Sequence, residues 1–189
     1  LSPKQVKVAI AILLVLLFSK FIYMSSLNSY FTFYLIHHFG LDIQSAQYCL
    51  FIFLLGAAIG TIIGGPIGDR IGRKHIILGS ILGAAPFALV LPFVNLTTTL
   101  VLVFFIGLII ASAFPAIVVY GQELMPGKTG TISGLFFGLA FGIAGIAAAA
   151  LGVLADRYNI ELVYQLCAFL PLLGAVAYFL PAVRGKKID

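Results

Sequence analysis

Six apolar runs, each long enough to cross a bilayer as a helix, constrain this chain more than any other feature. A spanning helix needs about 20 mostly apolar residues, and stretches over roughly 6–36, 44–68, 75–95, 99–120, 129–154 and 161–181 qualify. The separators HHFGLD, GDRIGRKH, VNLTT, QELMPGKTG and DRYNIE carry turn residues and charge. The runs are long and lack two-residue alternation, so helices are expected rather than a barrel. Charged residues make up 9% of the chain and hydrophobic residues 62%, against about 25% charged in a soluble domain. A water-facing surface cannot be built from so few charges. The expected fold is an all-α membrane protein with six transmembrane helices.

The formal charge of +5 does not point to nucleic acid, because the basic residues flank apolar runs instead of forming a patch. An even number of spans puts both ends on one side. That side then carries Lys4, Lys7, Arg70, Arg73, Lys74, Lys128, Arg184, Lys186 and Lys187, against Arg157 alone on the other. The positive-inside rule places both ends and the DRIGRK loop in the cytoplasm. Cys49 and Cys167 fall inside apolar runs, where packing is expected rather than a disulfide or a metal site. No cofactor is expected. The opening LSPKQVK, without an initiator methionine, reads as the start of a piece of a longer protein.

Two glycine ladders come next. Gly56, Gly60, Gly64 and Gly68 recur every four residues in the second run, and Gly130, Gly134, Gly138 and Gly142 do so in the fifth. Residues four apart share one helix face, so close helix packing is expected at both. The ladders end alike: GPIGDRI at 65–71 and GVLADRY at 152–158 both read G-x-x-x-D-R. Runs one to three therefore repeat as four to six. A unit of three spans is odd, so its second copy is inverted, as in several secondary transporters.

The segment GPIGDRIGRK at 65–74 carries more than orientation. Gly65 and Gly68 admit a neighbouring helix, and Gly72 permits a tight turn. Asp69 can accept backbone N–H bonds or pair with an arginine, while Arg70, Arg73 and Lys74 anchor the loop at the membrane surface. Orientation alone requires neither Asp69 nor Gly72. The pattern G-x-x-x-D-R-x-G-R-K resembles the signature loop of the major facilitator superfamily of transporters. The resemblance implies a twelve-helix fold whose halves are latched by this loop at the cytoplasmic face. This chain then corresponds to the C-terminal half, with QELMPGKTGTISG similar to the segment before the eleventh helix, and an N-terminal half is its partner. Longer blocks, among them FSKFIYMSSLNSYFTFYL, GSILGAAPF, QELMPGKTGTISGLFFGLAFG and ELVYQLCAFLPLLG, resemble the bacterial fosmidomycin-resistance family. That implies an inner-membrane exporter driven by proton entry, acting on an anionic phosphonate.

Lys20 is the residue that the bilayer tolerates least. It lies thirteen residues after Lys7, about 20 Å along a helix, near the middle of a hydrocarbon layer about 30 Å thick. Its side chain reaches only ~6 Å, too short to snorkel to either surface, and a central lysine costs roughly 2.5–3.5 kcal/mol on insertion scales. At 100° per residue, Lys20, Tyr23, Tyr30 and Tyr34 fall within roughly 80° of arc, and Ser19 and Ser26 extend the same side. This face is the candidate substrate site: an ammonium favours an anion, and phenols can donate to its oxygens or stack on a flat group. Packing, an ion pair with a carboxylate from another part of the protein, and proton relay by a buried lysine are the competing roles. Asp42, Asp69, Glu123, Asp156, Glu161 and Asp189 all lie near segment ends, so a proton-coupling carboxylate within the membrane has to come from elsewhere.

The function expected is secondary transport, with import of a sugar phosphate or organic anion as the rival direction. A six-helix homodimeric channel or scaffold is the rival of another class. An enzyme is not expected, since the spans hold no nucleophile–base set or ligand cluster.

Overall fold

The computed structural model describes residues 2–181, and Arg184, Lys186, Lys187 and Asp189 of the charge argument lie outside them. Among the described residues the chain is entirely helical. The elements are α1 (Pro3–Phe39), α2 (Ile43–Ile71), α3 (Arg73–Val90) with a 3₁₀ turn at Leu91–Phe93, α4 (Leu96–Leu124), α5 (Thr129–Arg157) and α6 (Ile160–Cys167). A 3₁₀ segment, Leu170–Phe179, follows α6.

Helix ends lie a few residues beyond the apolar runs because capping residues set them. Ser2 and Gln5 form a capping box at α1. Asp42, Asn95 and Asn159 each accept the N–H three residues on, starting α2, α4 and α6. The Ser45 contact also holds the exposed Asp42 carboxyl below its usual 3.8. Gly40 ends α1 in the left-handed region at φ +67°, and Gly72 turns α2 into α3 at φ +98°.

The sixth run departs from the helix expected over 161–181. Only its first third is α-helical; beyond it the N–H groups of Phe169 and Leu172 bond three residues back, to Leu166 and Phe169. Pro171 contributes to this change, although Pro66, Pro86 and Pro115 are accommodated inside α2, α3 and α4. Pro171 has no N–H for the Cys167 carbonyl, so the α ladder loses a bond where the chain tightens. At rises of about 1.5 and 2.0 Å per residue, α6 and the 3₁₀ segment together still extend about 32 Å.

The helices pair as an inverted repeat requires. α2 packs along α4 as α5 packs along α1, and α3 packs on α4 as the sixth run packs on α1. Exchanging helices one, two and three with four, five and six maps each contact onto another of the set. Two buried apolar clusters result. One is built around Leu13, Leu17, Ile77 and Ile117, the other around Leu27, Phe31, Phe53 and Ile106. Lys20 falls on α1 between them. The outward faces of α2 and α5 are apolar, with Ile62, Phe141 and Ile146 more than 70% exposed. α1 to α5, with the turn at Leu91–Phe93 completing α3, are long and apolar enough to cross a membrane.

Candidate functional site

The polar stripe on α1 is mostly committed to holding helices together. Ser25 donates to the Ala144 carbonyl of α5 at 2.9 Å, and the Tyr30 hydroxyl donates to the Ala148 carbonyl one turn along. Ser19 donates to the Leu170 carbonyl, where the sixth run changes from α to 3₁₀. Ser26 bonds back to the Tyr23 carbonyl at 2.6 Å, and its own carbonyl accepts from the Tyr164 hydroxyl of α6 at 2.9 Å. Such side-chain bonds to carbonyls act as glue between membrane helices.

Helical phase placed Tyr23, Tyr30 and Tyr34 beside Lys20, but their neighbours differ. Tyr23 and Tyr34 are 1% exposed. The Tyr34 ring tilts against Tyr164 at 4.7 Å and stacks on His38 at 5.1 Å, and among the described residues neither the Tyr23 nor the Tyr34 hydroxyl has a hydrogen-bond partner. They are core residues of this chain, closed off from an open ligand face, because α6 folds over that part of α1. Ser26 belongs to the same closed core. Tyr30 is half-buried against α5, where it lies over Gly152.

Lys20 stands apart. It is 3% exposed, near the midpoint of the 37-residue α1. Among the described residues it forms no ion pair and no hydrogen bond. Its Nζ lies instead over two rings, 4.9 Å from the centroid of Phe21 and 4.6 Å from that of Phe114 on α4. The arrangement is a lysine amine deep in an apolar helix bundle, set over aromatic faces and without a carboxylate partner among the described residues.

An open cavity of about 560 Å³ lies elsewhere, toward the α5–α6 connection, bounded by Tyr30, His37, Asp156, Asn159 and Glu161. Its two carboxylates oppose an anion, and Lys20 does not line it. At that end His38 Nδ1 meets Glu161 Oε1 at 2.7 Å, joining the end of α1 to the start of α6.

At the opposite end the GPIGDRIGRK segment is built around Arg73. Its guanidinium pairs with Asp69 one turn back, and its Nε lies 3.5 Å from Glu123 Oε1 near the end of α4. The second Glu123 oxygen is enclosed without a partner among the described residues. Sequence reasoning gave Asp69 an arginine partner but missed Glu123; a lone carboxylate at the same end as three basic residues was the signal available. Lys74 lies 5.5 Å over the Tyr178 ring, and Arg70 is exposed. Gly68 is buried against Ile76 and Ala116, whereas Gly65 has open space where a Cβ would go.

The glycine ladders separate in the same way. Gly56, Gly60 and Gly64 are buried, and a Cβ on any of them would run into the backbone of Phe104, Leu108 or Ser112 on α4. Gly107 of α4 returns the contact, with the Phe53 carbonyl 2.6 Å from the place of its Cβ. By contrast, a Cβ on Gly134, Gly138 or Gly142 would meet nothing within 4 Å among the described residues. The close packing expected there is absent among the described residues, because α5 meets α1 nearer its C-terminal end, at Ala144, Ala148 and Gly152.

Comparison with known proteins adds four findings. The model of the Major Facilitator Superfamily matches residues 10–188. The chain is 59% identical over 186 residues to the fosmidomycin resistance protein of Escherichia coli K12, covering 98% of this chain and 46% of that protein. It is 46% identical over 157 residues to YfnC, an uncharacterised MFS-type transporter of Bacillus subtilis 168, covering 83% and 38%. The chain thus spans less than half the length of these relatives. In fold it matches the POT family transporter PepTSo with a TM-score of 0.77 at 12% identity, over all of this chain and 40% of that one.

Proposed function

The chain belongs to the Major Facilitator Superfamily, and from that membership we propose that residues 1–189 form the C-terminal half of a proton-coupled exporter of an anionic antibiotic. Fosmidomycin, a phosphonate, is the substrate suggested by the E. coli relative's name. The transporter lies in a bacterial inner membrane with both ends of this segment in the cytoplasm, as the charge bias between its loops suggests. An N-terminal half completes the substrate cavity and supplies the carboxylate that carries protons.

The observation that carries this reading is Lys20: a buried ammonium near mid-helix with no anionic partner among the described residues. An ion in such a place usually faces a substrate path or a partner, and an unneutralised ammonium draws an anion. Alternating access then brings the phosphonate to Lys20 from the cytoplasm and releases it outside. The Asp69–Arg73–Glu123 cluster holds the cytoplasmic end shut in one state and parts in the other.

The test uses Lys20→Met in the intact transporter, at membrane levels matched to the native protein. Resistance to fosmidomycin is expected to disappear, and full resistance would overturn the anion site. Drug flux in everted vesicles separates export from import, since an exporter accumulates drug inside them on acidification of the lumen.

A further inference from the structure

We propose that Phe114, on α4, is the positioning residue that holds the Lys20 ammonium ready for its anion. The inference rests on the reading of Lys20 as the anion site and extends it to a residue on another helix.

A membrane-buried ammonium needs compensation, and the kind of compensation decides what it can do. A carboxylate would cancel its charge and leave an incoming anion little to gain. An aromatic face attracts the ammonium through the ring quadrupole but carries no net charge, so the positive field survives. Both rings at Lys20 lie within the about 6 Å over which this attraction acts, and Phe114 is the nearer, 4.6 Å against 4.9 Å for Phe21.

Phe114 is itself fixed. It meets Phe21 edge-to-face at 5.3 Å and 78°, and Phe137 of α5 at 5.1 Å and 87°. One ring therefore ties the ammonium to α1, α4 and α5 together. Phe21 comes from the same helix as Lys20 and cannot report how the helices sit; Phe114 can. The cluster also runs outward, because Phe114 is half-buried and Phe137 is 42% exposed.

The experiment measures fosmidomycin transport by the intact transporter in vesicles, with Phe114→Leu, Phe114→Trp, Phe137→Leu and Lys20→Met. For Phe114→Leu, KM is expected to rise about tenfold or more with kcat within about twofold. Phe114→Trp, with the stronger cation–π face, is expected to hold KM near the native value despite its bulk. Phe137→Leu, which keeps the ring under Lys20 but removes one of its supports, should raise KM by less than Phe114→Leu does. A purely structural Phe114 would lower membrane level and kcat and would tolerate Trp worst. If Phe114→Leu does not reach the membrane, Phe114→Met, close to it in volume, takes its place with the same readout. An unchanged KM in the ring-less variant, or Trp no better than Leu, overturns the proposal. Unchanged transport in Lys20→Met instead overturns the anion site beneath it, so the two failures are distinguishable.

Discussion

The tyrosines of α1 differ from its lysine in what their burial implies. Tyr23 and Tyr34 keep hydroxyls enclosed without a partner among the described residues, and an unsatisfied buried polar group costs about 1–3 kcal/mol. Tyr23→Phe and Tyr34→Phe are therefore expected to leave the melting temperature of the purified transporter unchanged or raise it, with KM for the drug unaltered. A marked rise in KM would return these phenols to the substrate site. Helical phase could put Lys20 and the tyrosines on one face, because that follows from 100° per residue alone. It could not say that Tyr164, arriving from 130 residues further along the chain, would close over two of them.

At the scale of elements, the two glycine ladders look identical in sequence and do different things. On α2 the backbone of α4 occupies the space a side chain would need, at three successive ladder positions. Gly60→Ala should force these helices apart and lower the level of folded transporter in the membrane, well beyond the about 0.5 kcal/mol of an open-surface change. Gly138→Ala meets nothing among the described residues and should leave their packing intact. A loss of transport in that variant at normal protein level would report a surface from the other half seated on α5. Gel-filtration profile and thermal stability in detergent, read beside transport, check both. The spacing of glycines marked faces fit for close approach; which neighbour arrives depends on how α5 is rotated against α1. The end of the sixth run has a similar history. Its apolar length was legible, while the change to a 3₁₀ path at Pro171 followed from a missing N–H whose consequence depends on the packing around it.

Over the whole molecule, the charged ends differ in kind. One end joins α1 to α6 through His38 and Glu161, and the other joins the α2–α3 loop to α4 through Arg73. In a carrier that opens alternately at its two faces, such ties stabilise particular states. Asp69→Asn and Glu123→Gln in the intact transporter are each expected to slow turnover while drug binding survives. A double-mutant cycle between Arg73 and Glu123 should give a coupling of about 0.5–3 kcal/mol. Unchanged turnover at equal protein level for both single variants would remove the latch from the mechanism.

What the sequence alone could specify is six apolar runs of membrane-spanning length, their arrangement as a twofold inverted repeat, and one lysine placed where lipid cannot receive it. These follow from apolar run length, from the recurrence of G-x-x-x-D-R, and from the reach of a lysine side chain, all local or periodic properties of the chain. Only the tertiary structure decided that Lys20 rests on Phe114, that Arg73 reaches Glu123, and that one glycine ladder is packed while the other is bare. Each of these joins residues far apart in the chain, through the rotation and crossing of helices, and no run length or spacing specifies that.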